Sequence, residues 1–125
     1  MHNQAAFAYQ SVAKKTGSPR EREANLLSRA AAELQQIRDN WDDRRPDLSS
    51  ALLFNRKLWT IFLTSVTRED NPLPQQIREN VANLGLFVMS HSLKVQANPQ
   101  PNRLDVLIAI NRELAAGLRA AQKAA

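Results

Sequence analysis

At 125 residues, 43% hydrophobic and 23% charged, the chain has the size and balance of one soluble globular domain. The absence of cysteine excludes thiol catalysis, thiolate zinc sites and iron–sulfur clusters, and it fits a reducing compartment. Two histidines, His2 and His91, do not make a His-rich metal site, so neither a metal nor another cofactor is expected.

A net charge of +5 raises nucleic-acid binding as a first reading, but phosphate contact needs the cations gathered on one face. They are spread instead. Residues 1–47 carry eight basic and seven acidic side chains, 48–97 five and three, and 98–125 four and two. The start, Met1 to Ala8, lacks the pattern of a secretory signal, and no run approaches the ~20 apolar residues of a membrane span. The expectation is a cytoplasmic protein without membrane contact.

Prolines stand at or just before the starts of periodic apolar segments, which predicts an all-α, single-domain bundle of about five helices over residues 1–125. The first, residues 3–15, is weakly apolar and stops at Gly17. The second, residues 19–40, opens with Ser18 as N-cap, Pro19 at the first helical position and Glu21 completing a capping box. Its apolar stripe is Ala24, Leu27, Ala31, Leu34 and Trp41, with Ile37 just beside it.

A polar connector, Asp42 to Asp47, leads to the third helix, residues 48–67. Its apolar side chains Leu48, Ala51, Leu52, Phe54, Leu58, Trp59, Ile61, Phe62, Leu63 and Val66 span an arc of about 200°, wider than an ordinary surface helix. That width marks it as the central, most buried element. The proline-stiffened corner Asn71-Pro72-Leu73-Pro74 then sets the fourth helix, residues 75–96. This helix has two apolar stripes, one of Ile77, Val81, Leu84, Val88 and Val95 and another of Ala82, Leu86, Met89 and Leu93, the second expected to pack against another helix of the chain, with a partner-binding groove as the alternative. Asn98-Pro99-Gln100-Pro101 ends it, and Asn102 with Asp105 resembles a second capping box for the fifth helix, residues 103–121.

A few positions break these patterns. Asn55 and Asn111 fall inside apolar arcs, where an unpartnered amide costs about 1–3 kcal/mol, so they are expected to bond each other or a helix end; the alternative is that one holds a bound peptide. Leu53 falls on the polar side of the third helix. Gly85 is read as permitting a close helix crossing opposite a bulky side chain such as Trp59, and His91 as a satisfied bundle histidine. No acid–base pair, nucleophile elbow or phosphate loop is present, so no catalytic residue is assigned and the chain is not read as an enzyme.

The run Ala51-Leu52-Leu53-Phe54-Asn55-Arg56-Lys57-Leu58-Trp59-Thr60, then Asn71-Pro72-Leu73-Pro74, then Asn83-Leu84-Gly85-Leu86-Phe87-Val88, resembles the FlaF family of flagellar biosynthesis regulators of alphaproteobacteria. The likeness extends upstream through Ser18 to Glu21 and Leu26 to Ala30 and weakens after Asn98. The resemblance implies a small cytoplasmic helical protein that promotes flagellin synthesis and secretion, binding flagellin as an export helper and working alongside FlbT. Matching motif residues are Asn55, Arg56, Trp59, Asn71, Pro72, Leu73, Pro74 and Asn83. With Leu53 and the spare stripe of Ala82, Leu86, Met89 and Leu93, they form the candidate partner-binding set.

Flagellin's terminal segments are amphipathic and disordered before assembly, which suits helix-in-groove docking. The alternative is a post-transcriptional regulator that contacts flagellin messenger directly, disfavoured by the thin charge distribution and by aromatics placed on apolar arcs. A third reading is a homodimer built through the spare stripe.

Overall fold

The computed structural model describes residues 18–124, with side chains through Ala121; the predicted helix over 3–15 lies outside them. Four long helices carry the fold: α1 (Pro19–Asp39), α3 (Leu48–Val66), α4 (Gln75–Ala97) and α5 (Asp105–Ala124). A one-turn helix α2 (Trp41–Arg44) and a 3-10 turn (Arg45–Asp47) join α1 to α3, and a second 3-10 turn (Pro101–Leu104) precedes α5. The described residues contain no strand.

Local chemistry explains most boundaries. Ser18 has extended backbone and its Oγ accepts the Glu21 N–H at 3.0 Å, with Pro19 behind it, so α1 starts as its cap and proline dictate. The predicted polar connector is not a loop. Asn40 ends α1, and Trp41 to Asp47 continue in two tight turns whose polar side chains Arg44, Glu33 and Asp47 pair across the corner. The expected second capping box is also absent: Asn102 sits inside a 3-10 turn without a side-chain cap, and Asp105 pairs with Arg38 of α1. Pro101 favours that tight entry because its fixed φ suits a turn start.

α1 packs most extensively on α5, α3 on α4, and α1 also on α3. The core is one cluster fed by all four helices, from Leu27, Leu34 and Ile37 of α1 through Trp59 and Phe62 of α3 to Val88 of α4 and Leu107 of α5. Truncating a wholly buried leucine such as Leu27 to Ala in such a core costs about 2–5 kcal/mol.

Several side chains differ from their predicted places. Ile37 belongs to the buried stripe of α1, whereas Trp41, half-buried on α2, stands beneath the Arg45 guanidinium at 5.7 Å from its ring centroid. On α3 the expected arc is too wide, for Ile61 is 64% exposed and Phe54 is exposed beneath Arg29. Ile61 lies two residues from buried Trp59, about 200° around the helix, and among the described residues no neighbouring helix reaches that side. Centrality is therefore shared, since α1 touches both α5 and α3 while α3 joins α1 to α4. Gly85 does permit a close crossing, but the side chain pressed against it is Leu63, not Trp59: a Cβ at 85 would lie 2.6 Å from Leu63 Cδ2.

Candidate partner-binding face

The thirteen candidate residues separate into three places. Asn55 and Trp59 are wholly inside the bundle. There, Asn111 of α5 donates from Nδ2 to Asn55 Oδ1 at 2.7 Å and accepts the Trp59 indole N–H on Oδ1 at 2.9 Å. The mutual bonding expected of Asn55 and Asn111 is thus present, with Trp59 as a third member. The network ties α3 to α5 and turns no group outward.

Asn71, Pro72, Leu73 and Pro74 form the corner between α3 and α4. Asn71 Nδ2 donates to the Ser65 carbonyl at 3.0 Å and to Ser65 Oγ at 3.1 Å, while its Oδ1 accepts the Leu73 N–H at 3.0 Å. One amide thus closes the end of α3 and shapes the turn that follows. Leu73 lines a cleft of about 350 Å³ with Phe62, Val66, Val81, Leu114 and Leu118. Glu23 stands at its rim, where burial pushes its carboxyl above the ordinary 4.5 while Arg20 and Arg22 pull it back.

Leu53, Arg56, Ala82, Asn83, Leu86, Met89 and Leu93 belong to the hairpin of α3 and α4. Leu63 against Gly85 sets the antiparallel register, and Arg78 Nη1 donating to the Arg68 carbonyl at 3.0 Å holds the same alignment at the corner. At 100° per residue, Met89, Ala82, Leu93 and Leu86 lie progressively outward from Gly85 on the flank of α4 beside α3. Leu53 and Arg56 occupy the facing flank of α3, opposite the side where Arg29 covers Phe54.

The spare stripe therefore splits. Ala82 and Met89 pack against the core, but Leu86 is 63% and Leu93 57% exposed, with Leu53 at 43% across the groove. Packing among the described residues absorbs only half of it. The first stripe is likewise incomplete: Ile77 and Leu84 are exposed, and Gly85 and Ser92 take buried positions instead. Ser92 achieves this by donating its hydroxyl back to the Val88 carbonyl at 2.6 Å.

On the other flank of α4, His91 Nε2 donates to the Arg103 carbonyl at 2.8 Å and its ring stacks on Phe87 at 5.3 Å, as a satisfied bundle histidine would. Among the described residues, no three His, Asp or Glu side chains come together at metal-binding distance, and no helix is long and apolar enough to cross a membrane.

These features have a counterpart among known families. The family model described as flagellar protein FlaF matches residues 5–118. The chain belongs to the FlaF family. The match spans α1, α3, the corner and α4 whole and α5 as far as Leu118, together with the three motifs that carried the resemblance. No curated protein and no solved structure matches the chain. Within the FlaF frame, sequence reasoning found Leu53, Leu86 and Leu93 but missed Ile61, Phe54 and Leu26 as exposed apolar side chains. For Ile61 and Phe54 the width of the predicted α3 arc was the available signal, because a helix flanked on two sides does not cover 200°.

Proposed function

We propose that this FlaF-family protein is a non-enzymatic regulator of flagellum biogenesis that promotes flagellin synthesis and secretion by binding flagellin in the manner of an export chaperone, acting with FlbT in the cytoplasm. The supporting observation is the outer α3/α4 face, where Leu53, Leu86 and Leu93 remain exposed over a packed layer of Ala82 and Met89. An apolar groove between two helices suits an amphipathic helix, and Met89 supplies adaptable contact at its base. Flagellin's terminal segments are such helices.

Leu86→Asp and Leu93→Asp, at positions already open to water, are expected to leave the unfolding midpoint within error and to abolish capture of full-length flagellin in a pull-down. Flagellin lacking its termini should be lost equally by the native chain. Undiminished capture of truncated flagellin, or capture indifferent to both aspartates, would overturn the proposal.

A further inference from the structure

We infer that the α3/α4 groove selects an acidic amphipathic helix, one whose apolar stripe is bordered by carboxylates, with Arg56 as the anchoring cation. The inference rests on the proposed function for the site and adds the chemistry of the segment that enters it.

Charge is the first observation. α3 contains no acidic residue, and α4 contains one, Glu79, which accepts from Gln75 one turn away at 3.1 Å. The same two helices carry Arg56, Lys57, Arg78 and Lys94. The five ion pairs among the described residues all lie elsewhere: Arg38 meets Asp39 and Asp105, Arg44 meets Glu33 and Asp47, and Arg68 meets Asp70. The described acids gather on α1, at the two corners and on α5, leaving the groove one-signed.

The second observation is Arg56 itself. Its Nε is shut off from water and has no acceptor among the described residues. The register places it level with Ser92, between Met89 and Leu93 on α4, so the cation stands at the groove floor with leucines on either side. The buried Nε leaves the half-buried guanidinium without an internal acceptor, and a carboxylate on an incoming helix would pair with the cation through its Nη–H groups. An incoming helix with a leucine stripe covers Leu53, Leu86 and Leu93 while its marginal carboxylates reach Arg56, Lys57 and Lys94.

Other occupants fit less well. A phosphate backbone would use the cations but leave the exposed leucines without apolar partners. A second copy of the chain docked symmetrically through this groove would set Arg56, Lys57 and Lys94 against their own counterparts.

Two labelled peptides of roughly 18 residues, five helical turns, test this with the full chain by fluorescence anisotropy. Both carry the same leucine stripe; one is bordered by Glu, the other by Lys. The Glu peptide is expected to bind about tenfold more tightly at low salt, the gap narrowing as salt screens it. Arg56→Gln should reduce Glu-peptide affinity about fivefold without lowering Lys-peptide affinity, and with no fall in the unfolding midpoint. Lys94→Glu, at an exposed position, should narrow the gap without any question of folding.

Equal affinities, a preference for the Lys peptide, absence of binding by either, or a ratio unmoved by both substitutions would each overturn the inference. The flagellin reading fails separately. If flagellin capture depends on Leu93 while the peptides show no charge preference, the acidic-helix inference falls alone. If the Glu peptide binds and flagellin is not captured, the flagellin reading falls alone.

Discussion

Replacing Asn111 with Ala is expected to weaken the bundle more than replacing Asn55, although the two amides are hydrogen-bonded to each other. Asn111 serves both partners, donating to Asn55 Oδ1 and accepting from Trp59 Nε1, and all three residues are 0% exposed. Ala at 111 therefore orphans two groups, the indole N–H and Asn55 Oδ1. At about 1–3 kcal/mol for each, the loss comes to roughly 2–6 kcal/mol. Ala at 55 orphans only Asn111 Nδ2, and it deletes Asn55 Nδ2, which has no acceptor among the described residues. Its loss should stay near 1–2 kcal/mol, the lower part of the same range.

Urea unfolding followed by far-ultraviolet circular dichroism measures both losses. With a slope of about 1–1.5 kcal/mol per molar, the Asn111→Ala midpoint falls by roughly 1–6 M and the Asn55→Ala midpoint by about 1–2 M. Adding Trp59→Phe removes the orphaned indole donor, so that substitution should be less damaging in the Asn111→Ala background than in the native chain. An Asn55→Ala loss equal to or larger than that of Asn111→Ala, or a Trp59→Phe penalty identical in both backgrounds, would refute the reasoning.

Gly117 and Gly85 should respond to alanine with opposite signs. A Cβ at Gly117 meets nothing within 4 Å, so Gly117→Ala gains the helix preference of about 0.5–1 kcal/mol. At Gly85 the new Cβ would lie 2.6 and 2.8 Å from two Leu63 carbons, and displacing that side chain should leave a net loss near 1 kcal/mol. In a Leu63→Ala background the Gly85→Ala effect should turn stabilising, read by thermal unfolding of the four chains.

Removing the cap with Ser18→Ala should cost about 1 kcal/mol by the same assay. Glu23 gives a pH signature. Its folded pKa is raised above the ordinary 4.5, so the native state holds that proton more tightly, and the group's stabilisation is present below 4.5 and lost as pH rises through the raised value. Glu23→Gln should therefore be more stable than the native chain at neutral pH, the difference closing as pH falls below 4.5; a gain independent of pH would contradict this.

Much of the architecture was legible because its signals are local. Ser18 with Pro19, the prolines at 72, 74, 99 and 101, and the 3.6-residue periodicity place four long helices within three residues of their observed ends. The corner from Trp41 to Asp47 was not legible, because its polar composition is that of a loop while its shape is held by Arg44 reaching Glu33 and Asp47. A pairing between residues eleven apart leaves no periodic trace.

By itself the sequence determined the helical class, the FlaF kinship, and the need for Asn55 and Asn111 to find partners inside apolar arcs. Each is a property of one segment, set by propensity, capping or the cost of an unpaired amide. Which apolar side chains stay outside was decided only by tertiary structure. Periodicity marks Ile61, Leu86 and Leu93 as apolar in the same way as Trp59 and Val88, yet the first three are exposed and the last two wholly buried. The difference lies in where neighbouring helices stop: α1 and α4 flank α3 without covering Ile61, and α3 reaches Ala82 and Met89 but not the outer edge of α4. The +5 charge is resolved in the same way. Ion pairs hold Arg38 of α1 and Arg44 and Arg68 at the two corners, while Arg56, with no acceptor at Nε, is left between exposed leucines, on a surface that no segment of the chain encodes alone.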